Sequence, residues 1–268
     1  MERVLITGAA GGIGRRLRAD LSGIYPLLRL SDVAVPAPAG PGEEVVIADL
    51  ADLAACEALC DGIDGIVHLG GQAIEADWET VLRANIVGCY NLFEAARRRG
   101  VKRVVFASTN HVMGFYPRTT RIDERAPPRP DSRNGVSKAF GEATGRFYAD
   151  KFGLGVLCIR IGNFADRPLD RRRLSIWISP RDFCQLVRIG LEHAEIHFEV
   201  VYGASESERS WWDNANAYRL GYRPEDESEP FAAGIFASES DSDDLVAERF
   251  QGGPFCSAEF AGDPDRIE

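Results

Sequence analysis

No stretch of the 268 residues holds the ~18 consecutive apolar side chains that a membrane-spanning helix requires, so no bilayer span is expected. The opening residues, Met1-Glu2-Arg3-Val4-Leu5-Ile6, pass at once into strand-like sequence. They lack the basic start, longer apolar run and small-residue cleavage site of a secretory signal, and a cytoplasmic chain is expected. Histidine is scarce, at four, and the six cysteines (Cys56, Cys60, Cys89, Cys158, Cys184, Cys256) show no zinc-type spacing. Cys56 and Cys60 could share one helical face, but no second Cys pair or His accompanies them, so packed thiols and no metal site are expected. Basic charge is not in excess: 31 Lys and Arg against 41 Asp and Glu leave a net charge of −10, which excludes nucleic acid and anionic membrane as natural partners. Between positions 225 and 244 there are eight acidic residues and no Lys or Arg, read as a solvated acidic surface. No repeat or low-complexity linker divides the chain.

What is present is ordinary globular composition, 45% hydrophobic and 27% charged, in a chain long enough to bury a core without disulfides. Short apolar runs at 4–6, 27–30, 44–47, 65–69, 104–108 and 154–161 read as strands. Helical stretches at 15–22, 53–59, 78–99, 136–152 and 180–193 alternate with them, the third closed by Gly100. Near-continuous apolar strands between helices imply a parallel sheet covered on both faces. The fold class expected is α/β, a Rossmann-type doubly wound parallel sheet with a small C-terminal substrate-covering lobe. The core is assigned to residues 1–162. Residues 163–268 are read as the lobe and C-terminal segment, whose pieces return to the main sheet and do not fold independently. The acidic end from Ser238 is expected to be partly disordered, with the segment Phe250-Gln251-Gly252-Gly253-Pro254-Phe255 able to dock.

Between the first strand and first helix stands Thr7-Gly8-Ala9-Ala10-Gly11-Gly12-Ile13-Gly14. Gly8 permits a tight turn, Gly11 lets backbone amides approach a pyrophosphate, and Gly14 allows close helix–sheet packing. Gly12 and Ile13 open the helix whose N-terminus attracts anions. Asp32 follows the second strand, eighteen residues beyond Gly14, where a carboxylate can accept from ribose hydroxyls and repel a 2′-phosphate. The cofactor expected is therefore NAD. Arg29, in the second strand, is the one feature that leaves some NADP affinity open.

With that glycine motif in place, the chain resembles the extended short-chain dehydrogenase/reductase family of NAD-dependent epimerase/dehydratase type. Asp49-Leu50 resembles its adenine-contacting pair, His68-Leu69-Gly70-Gly71 its strand end beside the cofactor, and Asn85-Ile86-Val87-Gly88 the helix motif whose Asn supports the active site. Within that family it is most similar to the uronate dehydrogenases, which oxidise glucuronate or galacturonate to the aldarolactone with NAD. The pieces that carry this are Ala107-Ser108-Thr109-Asn110-His111, Phe115-Tyr116-Pro117, Gly135-Val136-Ser137-Lys138, Ser210-Trp211-Trp212-Asp213-Asn214 and Phe250-Gln251-Gly252-Gly253. They span nearly the whole chain in order.

The resemblance implies a Tyr four residues before Lys138 as general base, its proton affinity lowered by the lysine. Here that position is Asn134, whose amide has no proton to exchange near neutrality. Loss of a positioned base typically slows turnover by about 10²–10⁴-fold. Thr109, Ala73 and Asn163 stand where uronate dehydrogenases usually carry serine. His111 and Tyr116 are the candidate replacement bases, His111 first by its intrinsic pKa, with simple substrate hydrogen bonding as its competing role. Arg172 resembles the family's carboxylate-binding Arg, although Arg171 and Arg173 flank it. Thr109 could orient the reacting hydroxyl, and Asn110 and Asn163 could bond sugar hydroxyls. Trp211 and Trp212 are read as core. The expected ligand is a sugar acid or related small carboxylate, and a homo-oligomer is left open. Asn134 keeps two further readings alive: a non-catalytic NAD-binding sensor or partner protein, and an NAD-retaining epimerase, lyase or dehydratase.

Overall fold

Residues 1–239 and 242–267 are described in a computed structural model of the chain, and seven strands form its main sheet. In chain order the first half runs β1 (Arg3–Thr7), α1 (Gly12–Leu21), β2 (Leu27–Asp32), β3 (Glu43–Ile47), α2 (Leu53–Cys60) and β4 (Gly65–His68). It continues with α3 (Trp78–Val81), α4 (Gly88–Arg99), β5 (Arg103–Thr109), α5 (Arg133–Phe152) and β6 (Gly155–Ile161). The second half holds β7 (Asn163–Phe164), α6 (Arg171–Leu174), β8 (Trp177–Ile178), α7 (Pro180–Glu192) and β9 (Phe198–Gly203). It closes with α8 (Ala215–Arg219), α9 (Glu229–Ser238), α10 (Leu245–Arg249) and α11 (Pro254–Ser257). The main sheet has the order β3-β2-β1-β4-β5-β6-β9, with every neighbour parallel. β7 and β8 make a small separate parallel pair. No helix among the described residues is long and apolar enough to cross a membrane.

The strands bury both faces. In β1, Val4 and Ile6 face one core with Leu17 and Leu21 of α1 and Phe183, Leu186 and Leu191 of α7. Leu5 faces the other, with Cys56 and Leu59 of α2, Leu92 and Phe93 of α4 and Tyr148 of α5. This period-two division is the doubly wound arrangement that the apolar runs imply. A third, smaller core beyond the sheet gathers Val112, Met113, Ile122, Ile176, Tyr202 and Trp212. Trp212 stacks on Tyr202 with ring centroids 4.7 Å apart, so this tryptophan is core, as its size suggests.

Three local details depart from the sequence expectation. β9 has no counterpart among the strands expected, yet it extends the sheet beside β6. The expected helix over 78–99 is interrupted at Leu82–Val87 by a π-helical turn, a local widening that period counting does not detect and that often marks functional positions. α5 begins at Arg133 rather than 136, because Ser132 Oγ accepts from Gly135 N at 3.0 Å and caps the helix early. That cap places Asn134 in the first turn.

The C-terminal end is more ordered than its acidity implies. α10 and α11 form, Phe250 is buried, and Gln251 N and Gly252 N donate to the carbonyls of Tyr116 and Gly114 at 2.9 Å each. The apolar anchor and these backbone bonds outweigh the local charge. Ser240, Asp241 and Glu268 lie outside the described residues.

Candidate functional site

β1 leads to β2 on one side and β4 lies on its other side, so the chain reverses direction across the sheet at this point. Open α/β sheets bind ligands in the crevice at the carboxyl ends of strands flanking such a reversal. A cavity of about 610 Å³ lies there. Its wall includes Gly8, Gly11, Gly12, Ile13, Gly14, Asp32, Asp49, Leu50, Leu69, Gly70 and Gly71 at one end, and Thr109, Asn134 and Lys138 at the other.

The glycine loop is built for a close anionic ligand. Gly8 has φ +71°, and a Cβ on it would lie 2.7 Å from Leu69 C. A Cβ on Gly14 would collide with Gly8 O and the Ala9 backbone, so α1 can lie this close to the loop only with glycine there. At Gly12 a Cβ would meet nothing within 4 Å, which leaves the start of α1 open to the cavity. No side chain caps α1 and no acidic residue stands in its first turn, so its free N–H groups and positive dipole end face the crevice.

Asp32 lies at the loop's edge, one carboxylate oxygen accepting from Ala10 N at 2.9 Å and the other from Ala34 N at 3.2 Å. Each oxygen retains a lone pair for a ribose hydroxyl. Asp49 pairs with Arg83 at 2.5 Å, and its carboxyl is held below the usual range by the Ala51 N–H and by Arg83. Arg29 is turned away from the cavity: it pairs with Glu44 at 2.5 Å and donates to the carbonyls of Leu59 and Asp61. Arg29 is not among the residues lining the cavity where a 2′-phosphate would sit. This surface fits an NAD-type dinucleotide.

At the other end Thr7 Oγ1 accepts from Gly70 N at 3.1 Å and bonds His68 Nδ1 at 2.9 Å. Burial, with a contribution from Lys138, pushes the His68 imidazole down to about 3, so it is neutral. Asn85, in the π-helical turn, is a clamp. Its Oδ1 accepts from Gln72 N at 2.7 Å, while Nδ2 donates to Gln72 O at 3.0 Å and Ser137 Oγ at 2.8 Å. Asn134 is held more loosely: Nδ2 donates to Ala73 O at 3.2 Å, and Oδ1 has only a long 3.4 Å contact with Asn85 Nδ2, whose two hydrogens are already given to Gln72 O and Ser137 Oγ. Glu75 completes the junction, accepting from the backbone N–H groups of Arg133 and Asn134 at the start of α5. Lys138, one turn along α5, is buried with its ammonium 5.0 Å from the Phe106 ring centroid.

Of the expected substrate residues Thr109 lines the cavity; Asn110 and Asn163 do not line it but follow the lining residues Thr109 and Gly162 in the chain, and Arg172 reaches the site only through Asn110. With its amide oriented so that Nδ2 donates to Ile161 O (3.2 Å), Asn110 Oδ1 accepts from Arg172 Nη2 at 3.0 Å. Arg172 Nε donates to Gln251 O at 2.8 Å. Within the arginine triplet, Arg173 pairs with Asp170 and Arg171 donates to Glu239 O. Arg172 has no ion pair among the described residues, and burial with the nearby Arg118 lowers its proton affinity to about 10. Asn163 Oδ1 is buried without a hydrogen-bond partner among the described residues.

His111 does not line the cavity. Nδ1 bonds Asp131 Oδ2 at 2.8 Å and the ring lies on Phe255 at 4.0 Å. Tyr116 also stands off the cavity, its hydroxyl donating to Pro127 O at 2.9 Å. Sequence reading missed Asp131, Gln72, Glu75 and Ser137. A cue existed only for Ser137, which lies within the motif ending at Lys138; the others act across 13 to 59 positions of chain.

Comparison with known proteins agrees with this geometry. The profile of the NAD dependent epimerase/dehydratase family matches residues 4–179. The uronate dehydrogenase of Pseudomonas putida is 46% identical over 258 residues, covering 96% of each chain. Among solved structures, a tyrosine-to-alanine mutant of the Agrobacterium tumefaciens uronate dehydrogenase complexed with NAD superposes with a TM-score of 0.93 at 45% identity, over 96% of this chain and 97% of that one. The glucuronic acid dehydrogenase of Chromohalobacter salexigens does so with the same TM-score and identity, over 99% of both.

Proposed function

The chain belongs to the NAD dependent epimerase/dehydratase family, and from that premise we propose that it binds NAD and oxidises a hexuronate at C1 to the aldarolactone. The observation that carries the substrate class is Arg172, a partly buried guanidinium with no carboxylate in ion-pair contact among the described residues, fixed by Gln251 O and by Asn110, the neighbour in sequence of the cavity-lining Thr109. A partly buried cation that no carboxylate contacts, Asp131 and Asp170 acting on it only at longer range, favours a ligand that brings one, and a guanidinium fork suits a carboxylate. The orphaned Asn163 Oδ1 is an acceptor for a sugar hydroxyl. Thr109, on the cavity wall one residue before Asn110, orients the reacting hydroxyl, while His111, held by Asp131, stands behind that wall.

Gly8, Gly11, Gly12, Ile13 and Gly14 hold the pyrophosphate, Asp32 the adenosine ribose, Asp49 and Leu50 the adenine side, and Leu69, Gly70, Gly71 and Lys138 the nicotinamide half. Asn85 keeps the Gly71–Gln72 loop and α5 in register. When bound, NAD supplies the hydride acceptor. Asn134 cannot take a proton, so turnover is slower than a phenol in its place would allow. Association of copies stays open, and a solution mass compared with the 29.4 kDa of one copy reads it.

The test is direct. Purified protein, NAD and glucuronate or galacturonate are mixed and the absorbance of reduced cofactor is followed, with the lactone identified by NMR. The amide at Asn134 also favours a second reading, a non-catalytic NAD-binding protein. Tight NAD binding by calorimetry with no turnover on any sugar acid selects that reading. A product formed without net cofactor reduction selects an epimerase, lyase or dehydratase.

A further inference from the structure

Resting on the uronate reading above, we propose that in this chain the ε-amine of Lys138 itself takes the proton of the reacting hydroxyl. The first ground is elimination by position. The titratable groups lining the cavity are Asp32, Asp49 and Lys138. The two carboxylates belong to the nucleotide end, tied to Ala10 N and to Arg83. Lys138 lies at the end shared with Ser108, Thr109 and Asn134. His111, held at Nδ1 by Asp131, and Tyr116, whose hydroxyl donates to Pro127 O, are not among the residues that line the cavity.

The second ground is that no carboxylate of the protein neutralises the amine, whose protein neighbour is the Phe106 ring. Among the described residues no hydrogen bond or ion pair reaches Nζ. The groups facing it from neighbouring elements are Phe106 on β5, His68 on β4 and Cys89 on α4. His68 is neutral, and burial pushes the Cys89 thiol up to about 12, so it is neutral too. Glu142, one turn further along α5, is occupied by Arg160 and Ser108. No counter-charge therefore stabilises the ammonium, and burial lowers its pKa to about 8. The third ground is room. Asn134 is shorter than a phenol and donates to Ala73 O, which leaves the space in front of Lys138 to substrate.

The bookkeeping closes. The hydroxyl O–H bond breaks, its proton joins the lone pair of the neutral amine, and its electron pair becomes the second C–O bond of the lactone. The C1–H bond leaves with its pair as hydride to the nicotinamide that NAD supplies. Below pH ~8 only the shrinking neutral fraction of the amine can take the proton, so turnover rises as pH climbs through that value.

Three measurements test this. The turnover rate at saturating NAD and galacturonate is expected to rise about tenfold per pH unit below a midpoint near 8. Lys138→Arg keeps a cation and donors but cannot lose its proton, and is expected to lower turnover by about 10²-fold or more while NAD affinity by calorimetry moves less than about tenfold. Independently of activity, the chain has only three lysines, Lys102, Lys138 and Lys151. In protein carrying 13Cε-lysine, the resonance absent from Lys138→Met is expected to titrate near 8 and to shift when NAD is added. Turnover that survives Lys138→Arg, or a Lys138 resonance that titrates above ~10, overturns this inference and leaves the uronate reading standing. A wild-type chain that never reduces NAD with a uronate at any pH overturns both.

Discussion

Arg172→Gln is the substitution on which the substrate assignment turns. With Nε on Gln251 O and one Nη2 hydrogen on Asn110, the guanidinium still has Nη1 and the second Nη2 hydrogen to offer a carboxylate. A hydrogen bond to a charged group contributes about 1.5–3 kcal/mol net, and the partly buried site strengthens the accompanying charge attraction. Glutamine retains one NH₂ group in place of the guanidinium fork and no charge, so the loss expected is about 2–4 kcal/mol. At about 1.4 kcal/mol per factor of ten, kcat/KM for galacturonate should fall roughly 30- to 1,000-fold. Galactose, which has the same ring without the carboxylate, supplies the control. Both sugars are assayed by cofactor reduction at pH 7, where Arg172 is charged. The galactose value should stay within about threefold of wild type. Equal losses on both sugars would mean that Arg172 only supports the fold, and an unchanged galacturonate value would refute the carboxylate site.

Asn134→Tyr restores a phenol beside Lys138 and is expected to raise turnover by about 10²-fold; no gain would mean that uronate chemistry has left this pocket. Glu142→Gln leaves the buried Arg160 guanidinium without its counter-ion and without strong acceptors for the bonds at 2.9 and 3.0 Å. Urea unfolding should show a loss of about 3–5 kcal/mol, and a loss below ~1 would show that solvent reaches the pair. His68 gives a pH signature. Its pKa falls from 6.5 to about 3 on folding, so the unfolded chain binds the proton first. Stability from this group is complete above pH ~6.5 and is lost as pH drops toward 3, by up to about 1.4 kcal/mol per unit. Urea midpoints at pH 7 and pH 5 should separate less in His68→Gln than in wild type; an equal separation would contradict the buried neutral imidazole.

The nucleotide half of the site was legible in the sequence because its parts are local. The turn, the close approach and the helix start of the glycine loop lie within eight consecutive residues, from Thr7 to Gly14, and a φ of +71° at Gly8 is a demand that glycine identity announces. Strand and helix types followed from periodicity for the same reason, since side-chain burial repeats every two or 3.6 residues along one element. The expected docking of the segment from Phe250 to Phe255 is found, but the bonds Gln251 Nε2 makes there, to the carbonyls of Pro117 and Thr120, cross more than a hundred positions and have no local cue in the sequence.

The sequence alone determined the fold class, the dinucleotide cradle and the absence of a phenol at position 134. Only the tertiary structure decided which arginine of the triplet stands without a counter-ion, that Arg29 faces away from the cofactor crevice, and that His111 answers to Asp131 while Lys138 faces the cavity alone. These are facts about direction and company. A side chain's identity is written in the chain, but its charge state and freedom to react depend on desolvation and on partners that folding brings from distant positions.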